Sequence, residues 1–236
     1  MRLDKYLCLL EVGTRSQVKN YIRQGLVTIN GRPAQRPEQK IEEEHEIIAF
    51  RGKELHYKKY CYYMLNKPPG VVSATRDNTA GTVVELLGDD RREGIFPVGR
   101  LDKDTVGLLL LTNDGELAHR LLSPKHHVDK TYLVTVEHTL QTEDIRRLEE
   151  GVDIGEERPT MPAKAEISKD GQLLLTIREG KYHQVKRMLR AIDNEVITLK
   201  RISFGGITLD ENLKPGQYRE LTEQEVRILH GLERDT

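Results

Sequence analysis

The stretch that decides the fold lies at residues 99–115 and reads GRLDKDTVGLLLLTNDG. Its second half holds four consecutive leucines at 108–111, a pattern typical of a strand that is buried on both faces. Its first half is a turn in which Asp102 lies between the cations Arg100 and Lys103. An acid held rigidly beside positive charge stays ionised and can act as a nucleophile or a base. A structural ion pair in a turn has the same spacing, so spacing alone leaves both interpretations open.

The remainder of the chain after residue 59 alternates strand patterns with fewer helical ones. A helix is expected after Gly180, because Val185, Met188, Leu189 and Ile192 fall on one helical face. Strands outnumber helices and the links are short, which favours an α+β body around a mixed, mainly antiparallel sheet. Strands are expected at 60–65, 71–74, 130–136, 172–177 and 195–199, with a turn at 66–70 and helices at 82–87, 114–122, 142–150 and 222–229.

The first part of the chain has the pattern of a small αβ module. Leu3, Tyr6 and Leu7 recur at helical spacing and predict a first helix. Thr14 and Gln17 form a capping box that opens a second helix. Two short helices therefore begin the chain.

Two strand patterns follow these helices. Residues 26–29 read as a strand that ends in the hairpin turn Asn30-Gly31, and residues 47–50 read as another. Residues 51–59 are polar and basic and form the best candidate for a linker. The predicted domains are therefore 1–58 and 59–236.

Composition and charge narrow the class of protein. Charged residues make up 32% of the 236-residue chain, and no apolar run approaches the roughly 20 residues that span a bilayer. The start of the chain lacks the apolar core of a signal peptide, and the two cysteines are expected to be reduced, so we expect a cytoplasmic protein without a membrane partner. The net charge is −1, yet residues 1–36 hold seven basic residues and two acidic ones, a local charge of +5. This asymmetry predicts a basic module beside a more acidic body.

Four motifs in the second part of the chain resemble those of one enzyme family. The stretch at 99–115 is similar to the catalytic-loop signature of RNA pseudouridine synthases of the RsuA type. MLNKPPG at 64–70 resembles the opening motif of that family, and KTY at 130–132 and EGKYHQVKRM at 179–188 resemble its second and third motifs. The motifs occur in the family's order and extend over most of the chain.

The first part of the chain resembles an RNA-binding domain. RLDKYL at 2–7 and RSQVKNYIRQGLVTINGR at 15–32 are similar to the S4 domain. The two resemblances together imply an S4-like αβ module followed by a pseudouridine synthase body. In that body a curved, mixed, mainly antiparallel sheet carries the active cleft across its middle.

The resemblance implies a role for each residue at a matching position. Asp102 matches the essential aspartate, which attacks the nucleotide covalently or steers the loss and return of uracil. Tyr132 matches the tyrosine that stacks on the target base and acts as a proton acceptor. Lys186 matches the basic residue that pairs with the aspartate, and Arg100 matches the residue that fills the gap left by the flipped base. Further side chains are expected to contact RNA: Lys181, His183, Arg187, Arg2, Lys5, Arg15, Lys19 and Arg23.

The implied reaction is the isomerisation of a specific uridine in 16S rRNA to pseudouridine. Residues 123–132, 181–188 and 205–210 resemble the branch that acts on the small subunit, so the expected partner is 16S rRNA or a small-subunit assembly intermediate. The isomerisation needs no redox change, group donor or metal, so neither a cofactor nor a metal site is expected. The enzyme is expected to act as a monomer.

The sequence alone leaves three other functions open. The first is modification of 23S rRNA by the sister branch, and the second is a non-catalytic role in ribosome assembly built on the S4 module. The third is a metal-dependent phosphoester hydrolase that uses Asp102, Asp104 and Asp114. Arg100 and Lys103 interleave with these acids and disfavour a cluster of negative charge.

Overall fold

The computed structural model describes residues 1–42, 45–55 and 57–231. The chain divides into two compact units, Met1–Lys59 and Tyr60–Thr236. Residues 232–236 of the predicted second domain lie outside the described part of the chain.

The first unit combines two helices with a small antiparallel sheet. The predicted capping box is confirmed, since the Gln17 amide donates to Thr14 Oγ1 over 3.4 Å and the Thr14 amide donates to Gln17 Oε1 over 2.8 Å. The elements are α1 (Leu3–Leu9), α2 (Arg15–Arg23), β1 (Val27–Ile29), β2 (Arg32–Pro33), β3 (Ile48–Phe50) and β4 (Lys53–Leu55). The strand order is β2-β1-β3-β4, and every pair is antiparallel.

The prediction of a linker at 51–59 is wrong at its centre. Lys53–Leu55 forms β4, which pairs with β3 through the turn at Arg51 and Gly52. Both turn residues have positive φ angles, 52° and 77°, as the two-residue hairpin turns of twisted strands require. Strand β4 is polar because it is an exposed edge strand, and its composition therefore resembled that of a linker.

The second unit is built on one nine-stranded sheet. Its strands are β5 (Tyr62–Lys67), β6 (Phe96–Pro97), β7 (Val106–Thr112), β8 (Lys130–Val136), β9 (Lys164–Ile167), β10 (Leu173–Ile177), β11 (Val196–Phe204), β12 (Ile207–Thr208) and β13 (Tyr218–Glu220). Seven of them are neighbours in the order β13-β5-β7-β11-β8-β10-β9, while β6 pairs with β7 and β12 pairs with β11. The pair β7/β11 is parallel and the other pairs are antiparallel, which confirms the predicted mixed, mainly antiparallel sheet.

The leucine run is buried on both faces of the sheet, as its sequence predicts. Leu109 and Leu111 join one apolar cluster, whereas Leu108 and Leu110 join a second. All four side chains are at most 3% exposed. Strand β7 therefore lies between two cores, and the residues just before it are anchored to the most buried part of the unit.

Two predictions beside the opening motif are wrong. Strand β5 continues through Asn66 and Lys67, which were expected in a turn, because both polar side chains find partners inside the protein. Residues 71–74 do not form a strand, and Val72 makes only an isolated bridge to Thr82.

Four helices flank the sheet in the described part of this unit. They are α3 (Gly115–Leu122), α4 (Thr142–Glu150), α5 (Gln184–Arg190) and α6 (Glu223–His230), and a 3₁₀ segment covers Glu85–Asp90. Asp114 caps α3 by accepting from the Leu117 amide over 3.0 Å, and Thr222 with Glu225 forms the predicted capping box of α6. Within the described residues, no helix has the length and apolar character that crossing a membrane would need.

We expect Gly107→Ala to destabilise the second unit by at least about 2 kcal/mol. A Cβ atom at Gly107 would lie 2.3 Å from the backbone oxygen of Arg201, and its φ of +99° is unfavourable for alanine. The matched control is Gly171→Ala, because Gly171 has a φ of +77° but open space around it. Denaturant unfolding measures both free energies. Equal destabilisation by the two substitutions would contradict a close approach of β7 and β11.

Candidate active site

The second unit contains a cavity of about 1020 Å³ beside the start of β7. It collects residues that are far apart in sequence, from the loop before β7, from β8 and β11, and from the start of α5. Six of the predicted site residues line it: Arg100, Asp102, Tyr132, Lys181, His183 and Lys186.

The Asp102 loop is held from one side by Ser73. The Ser73 hydroxyl donates to the Leu101 carbonyl over 2.8 Å and accepts from the Leu101 amide over 3.0 Å. Within the loop, the Thr105 amide donates to the Asp102 carbonyl over 3.1 Å. The backbone is therefore held by hydrogen bonds both just before Asp102 and just after it.

A buried cation holds the same loop from the other side. Lys67 is fully buried, and its Nζ donates to the carbonyls of Pro68, Lys103 and Thr105 over 3.1, 3.3 and 2.9 Å. Burial lowers the pKa of Lys67 to about 8, and the charges of Asp104 and Asp102 oppose that shift. The sequence pattern predicts a turn at Lys67 and does not indicate this function. The available signal was a lysine at the end of an otherwise buried strand.

The Asp102 carboxylate faces two groups from the start of α5. Lys186 Nζ lies 3.2 Å from Asp102 Oδ2, and His183 Nε2 lies 3.5 Å from Asp102 Oδ1. The Asp102 side chain remains 30% exposed. The carboxylate is thus fixed in position and still accessible from the cavity.

Lys186 is shared between two aspartates. Its Nζ lies closer to Asp104, at 2.7 and 2.9 Å from the two carboxylate oxygens, than to Asp102. Burial opposes the charge of Lys186, but hydrogen bonds to Asp104 and Asp102 outweigh it and raise the pKa of the lysine. The same hydrogen bond lowers the pKa of Asp104. The motif resemblance pairs Lys186 with Asp102 alone and does not indicate the contact with Asp104.

Helix α5 places Lys186 and His183 by burying its apolar face. Val185, Met188 and Leu189 are buried in the core. His183 is the N-cap residue and adopts a left-handed conformation with a φ of 47°. Its ring stacks on Tyr182 with centroids 3.9 Å apart, and Tyr182 is 75% exposed. An exposed aromatic surface therefore lies at the edge of the cavity.

Tyr132 lies on β8 at the wall of the cavity. It is 8% exposed and faces Leu175 of β10 and Arg201 of β11 in the sheet register. Its side chain interacts with that of Arg201, and this interaction favours the charged form of the guanidinium. Tyr132 is therefore held in place and lines the same cavity as Asp102.

We expect Tyr132→Phe to slow turnover while RNA binding stays within a few-fold, and Tyr132→Ala to impair both. A Phe ring still stacks on a base, which is worth roughly 1–3 kcal/mol in single-strand sites, whereas only the hydroxyl is lost. Single-turnover rates and filter binding separate the two effects. If Tyr132→Phe turns over at the wild-type rate, the hydroxyl has no part in the reaction and Tyr132 acts only by stacking on the base.

Two cations predicted to contact RNA are engaged within the chain. Lys181 Nζ donates to the carbonyls of Arg158 and Pro159 over 3.1 and 3.3 Å. Arg187 pairs with Glu156 at 2.7 Å and also donates to the carbonyls of Tyr182 and Ile154. Both side chains therefore have partners within the chain, and their contact with RNA stays a prediction.

Arg100 differs from these two cations. It is exposed at the cavity, and no ion pair of Arg100 is found in the part of the chain that the structure describes. Its guanidinium is available to a ligand.

The predicted RNA-contact residues of the first unit are all exposed to solvent. Arg15, Lys19 and Arg23 follow one another at four-residue spacing along α2 and are exposed. Lys5 is exposed as well, whereas Arg2 pairs with Asp4 at 2.7 Å. Helix α2 therefore presents a row of three cations.

The aspartates of the alternative metal site do not converge. Asp114 is buried, caps α3 and accepts a hydrogen bond from the Tyr62 hydroxyl over 2.9 Å, whereas Asp102 and Asp104 share Lys186. The described residues contain no group of three or more His, Cys, Asp and Glu side chains arranged to hold a metal. The acidic cluster of that hypothesis is absent from this part of the chain.

The first unit carries a row of exposed cations on α2, and the sheet of the second unit carries an accessible carboxylate in a cavity. Comparison with known families identifies the class of protein that has these two parts. The family described as RNA pseudouridylate synthase matches residues 61–191, and the S4 domain matches residues 1–47. The chain belongs to the RNA pseudouridylate synthase family and is an isomerase with an S4 domain ahead of its catalytic region.

Individual relatives match nearly the full chain. The uncharacterized RNA pseudouridine synthase YtzG of Bacillus subtilis (strain 168) is 49% identical, over 98% of this chain and 98% of its own. Ribosomal small subunit pseudouridine synthase A of Escherichia coli (strain K12) is 42% identical, over 96% of this chain and 98% of its own. A solved structure described as pseudouridylate synthase has a TM-score of 0.69 and 42% identity, and covers 97% of this chain and 99% of that one.

Proposed function

We propose that this enzyme converts one specific uridine of 16S rRNA to pseudouridine, with Asp102 as its catalytic carboxylate. It acts on 16S rRNA or a small-subunit assembly intermediate, in the cytoplasm, as a monomer and without a cofactor. The full-length similarity to small-subunit synthases of Escherichia coli and Vibrio cholerae, at 42% and 41% identity, supports this substrate.

One observation carries the proposal. The Asp102 carboxylate lies in the cavity, beside Lys186 and His183, on a loop that Ser73 and Lys67 hold rigid. Residues of three separate motifs thus hold the loop or contact its accessible carboxylate, an arrangement that supports nucleophilic chemistry on a nucleotide.

The reaction replaces one glycosidic bond with another. The N1–C1′ bond of the uridine breaks, the uracil turns, and C5 of the uracil forms a bond to C1′. The proton on C5 is lost and N1 gains one, so substrate and product are isomers. Asp102 captures C1′ covalently or steers loss and return of the uracil at the sugar. Lys186 keeps the carboxylate oriented through its contacts with Asp102 and Asp104.

The target base must leave its stack to enter the cavity, which costs a few kcal/mol. Tyr132 offers a ring on which the extruded base stacks, and Arg100 is free to occupy the gap that the base leaves. The exposed Tyr182 ring at the cavity edge offers a second stacking surface to a neighbouring nucleotide.

We expect the triple variant Arg15→Gln, Lys19→Gln, Arg23→Gln to bind rRNA more weakly and with a flatter salt dependence. Each lost phosphate contact reduces the slope of log affinity against log salt by about 0.7 to 0.9. The matched control replaces three exposed cations elsewhere in the chain, Arg146, Lys164 and Lys169, by Gln. Filter binding across salt concentrations measures both slopes. An unchanged slope in the α2 variant would contradict an RNA-binding role for that helix.

The substrate is tested by mapping pseudouridine on both ribosomal RNAs. Unmodified 16S and 23S rRNA are treated with the purified protein, derivatised with carbodiimide and read by primer extension. The proposal predicts one new stop, in 16S rRNA. A stop only in 23S rRNA would assign the enzyme to large-subunit modification, and binding without any new stop would favour a ribosome-assembly factor.

A further inference from the structure

Arg201 is a charged residue of the cavity wall that the roles above do not use. It lies on β11 and faces Tyr132 of β8 on one side and Gly107 of β7 on the other. It is therefore the central residue between the strand that carries Tyr132 and the strand that follows the Asp102 loop. The cavity that holds Asp102 and Tyr132 is also lined by Arg201.

The guanidinium of Arg201 is only partly satisfied. The residue is 3% exposed, and Nε donates to the Leu108 carbonyl over 2.8 Å. Its Nη2 atom is buried and has no hydrogen-bond partner among the described residues. Among the described residues, one other buried side-chain atom lacks a hydrogen-bond partner, and this atom is Thr105 Oγ1. Thr105 lines the same cavity.

No carboxylate compensates this charge in the described part of the chain. Burial lowers the pKa of Arg201, and the interactions that oppose the shift come from Tyr132 alone. The guanidinium packs over Phe204, with Cζ 4.9 Å from the ring centroid, and Lys130 Nζ lies 5.5 Å from the same centroid. Two cations therefore lie at this wall of the cavity, and Asp129 and Glu179 act on Lys130.

An unpaired buried charge is unfavourable for stability, and a well-packed apolar side chain in its place is often neutral or stabilising. The arrangement is favourable where a ligand brings an acceptor or a negative charge to the donor. In the isomerisation proposed above, the N1–C1′ bond breaks and its electron pair stays on the uracil. That negative charge spreads over N1 and the two ring carbonyl oxygens. A uracil anion therefore carries both the acceptor and the charge that this wall lacks.

We propose that Arg201 is a further residue of the active site, whose buried guanidinium donates to a carbonyl oxygen of the target uracil and stabilises the ring as it takes up negative charge. The inference rests on the proposed function and assigns the leaving group its electrostatic partner. Asp102 acts at the sugar, whereas Arg201 acts at the base.

The test compares two substrates that differ in how well uracil leaves. One RNA carries uridine at the target position and the other carries 5-fluorouridine, whose fluorine stabilises the uracil anion. Single-turnover consumption of the target nucleoside is followed by chromatography of digested RNA. The variants are Arg201→Gln, which removes the charge, and Arg201→Lys, which keeps it. Thermal melting and RNA binding are measured for each.

We expect Arg201→Gln to slow the reaction of uridine about 100-fold, as loss of one preorganised donor does in other enzymes. The defect should shrink to less than about 10-fold on 5-fluorouridine, because a better leaving group needs less stabilisation. Arg201→Lys should lie between wild type and Arg201→Gln on uridine, and it serves as the test variant if Arg201→Gln does not fold.

Two results would overturn the inference. The first is an equal loss of rate for Arg201→Gln on uridine RNA and on 5-fluorouridine RNA, which would show that Arg201 does not act at the base. The second is found in the Tyr132→Phe background: if Arg201→Gln has no further effect there, Arg201 acts only by holding the tyrosine hydroxyl. A wild-type protein that is inactive on both RNAs would instead refute the proposed function, and the inference with it.

Discussion

Asp102→Asn is expected to abolish pseudouridine formation, by at least about 1,000-fold, while RNA affinity changes by no more than a few-fold. Asparagine keeps the shape of the side chain but lacks the charge and the nucleophilicity of the carboxylate. Binding energy comes from phosphate contacts and stacked bases away from Asp102, and it should persist. Tritium release from RNA labelled at uridine C5 measures turnover, and filter binding measures affinity.

The matched control for this variant is Asp104→Asn. Asp104 is two residues away, contacts the same lysine and is 72% exposed at its side chain. An exposed ion pair contributes about 1 kcal/mol or less, so this variant should lose less than about ten-fold in rate. Equal loss of activity in the two variants would show that the reaction depends on the ion-pair network and not on one carboxylate. Activity retained in Asp102→Asn would place the catalytic group elsewhere.

Lys186→Met is expected to lower the turnover rate about 100-fold or more, without unfolding the protein. The lysine is the cation that holds both Asp102 and Asp104, and methionine fills similar space without charge or hydrogen bonds. Lys186→Arg keeps the charge and serves as the conservative comparison. Single-turnover rates and thermal melting of the three proteins measure the effect.

The double variant of Asp102→Asn with Lys186→Met tests whether the two residues act as a unit. Catalytic partners are strongly non-additive, so the double variant should be scarcely slower than Asp102→Asn alone. A multiplicative loss would show that Lys186 contributes independently of the aspartate.

The sequence predicts the frame of both units because its signals are local. The four leucines of β7, the capping pairs at Thr14 and Thr222, and the apolar face of α5 each define an element without reference to the rest of the chain. Strand β4 was missed for the converse reason, because an exposed edge strand has few apolar residues. A local sequence pattern does not reveal a strand when that strand is more exposed than strands usually are.

The supporting residues of the site were not predictable in the same way. Lys67 and Arg201 are charged residues within strands, and such residues are mostly exposed. Their partners are backbone carbonyls of Lys103, Thr105 and Leu108, which the tertiary fold alone brings to them. The contact of Lys186 with Asp104 likewise depends on where α5 meets the loop. Motif resemblance identified the residues expected to react, and the structure identified those that position them.

The central claim is that this enzyme isomerises one uridine of 16S rRNA through Asp102. The most direct measurement is tritium release from 16S rRNA labelled at uridine C5, with 23S rRNA as the parallel substrate, in the presence of EDTA. The wild-type protein should release one equivalent of tritium per 16S rRNA and none from 23S rRNA, and Asp102→Asn should release none from either. No release from 16S rRNA by the wild-type protein, or equal release by Asp102→Asn, would contradict the claim.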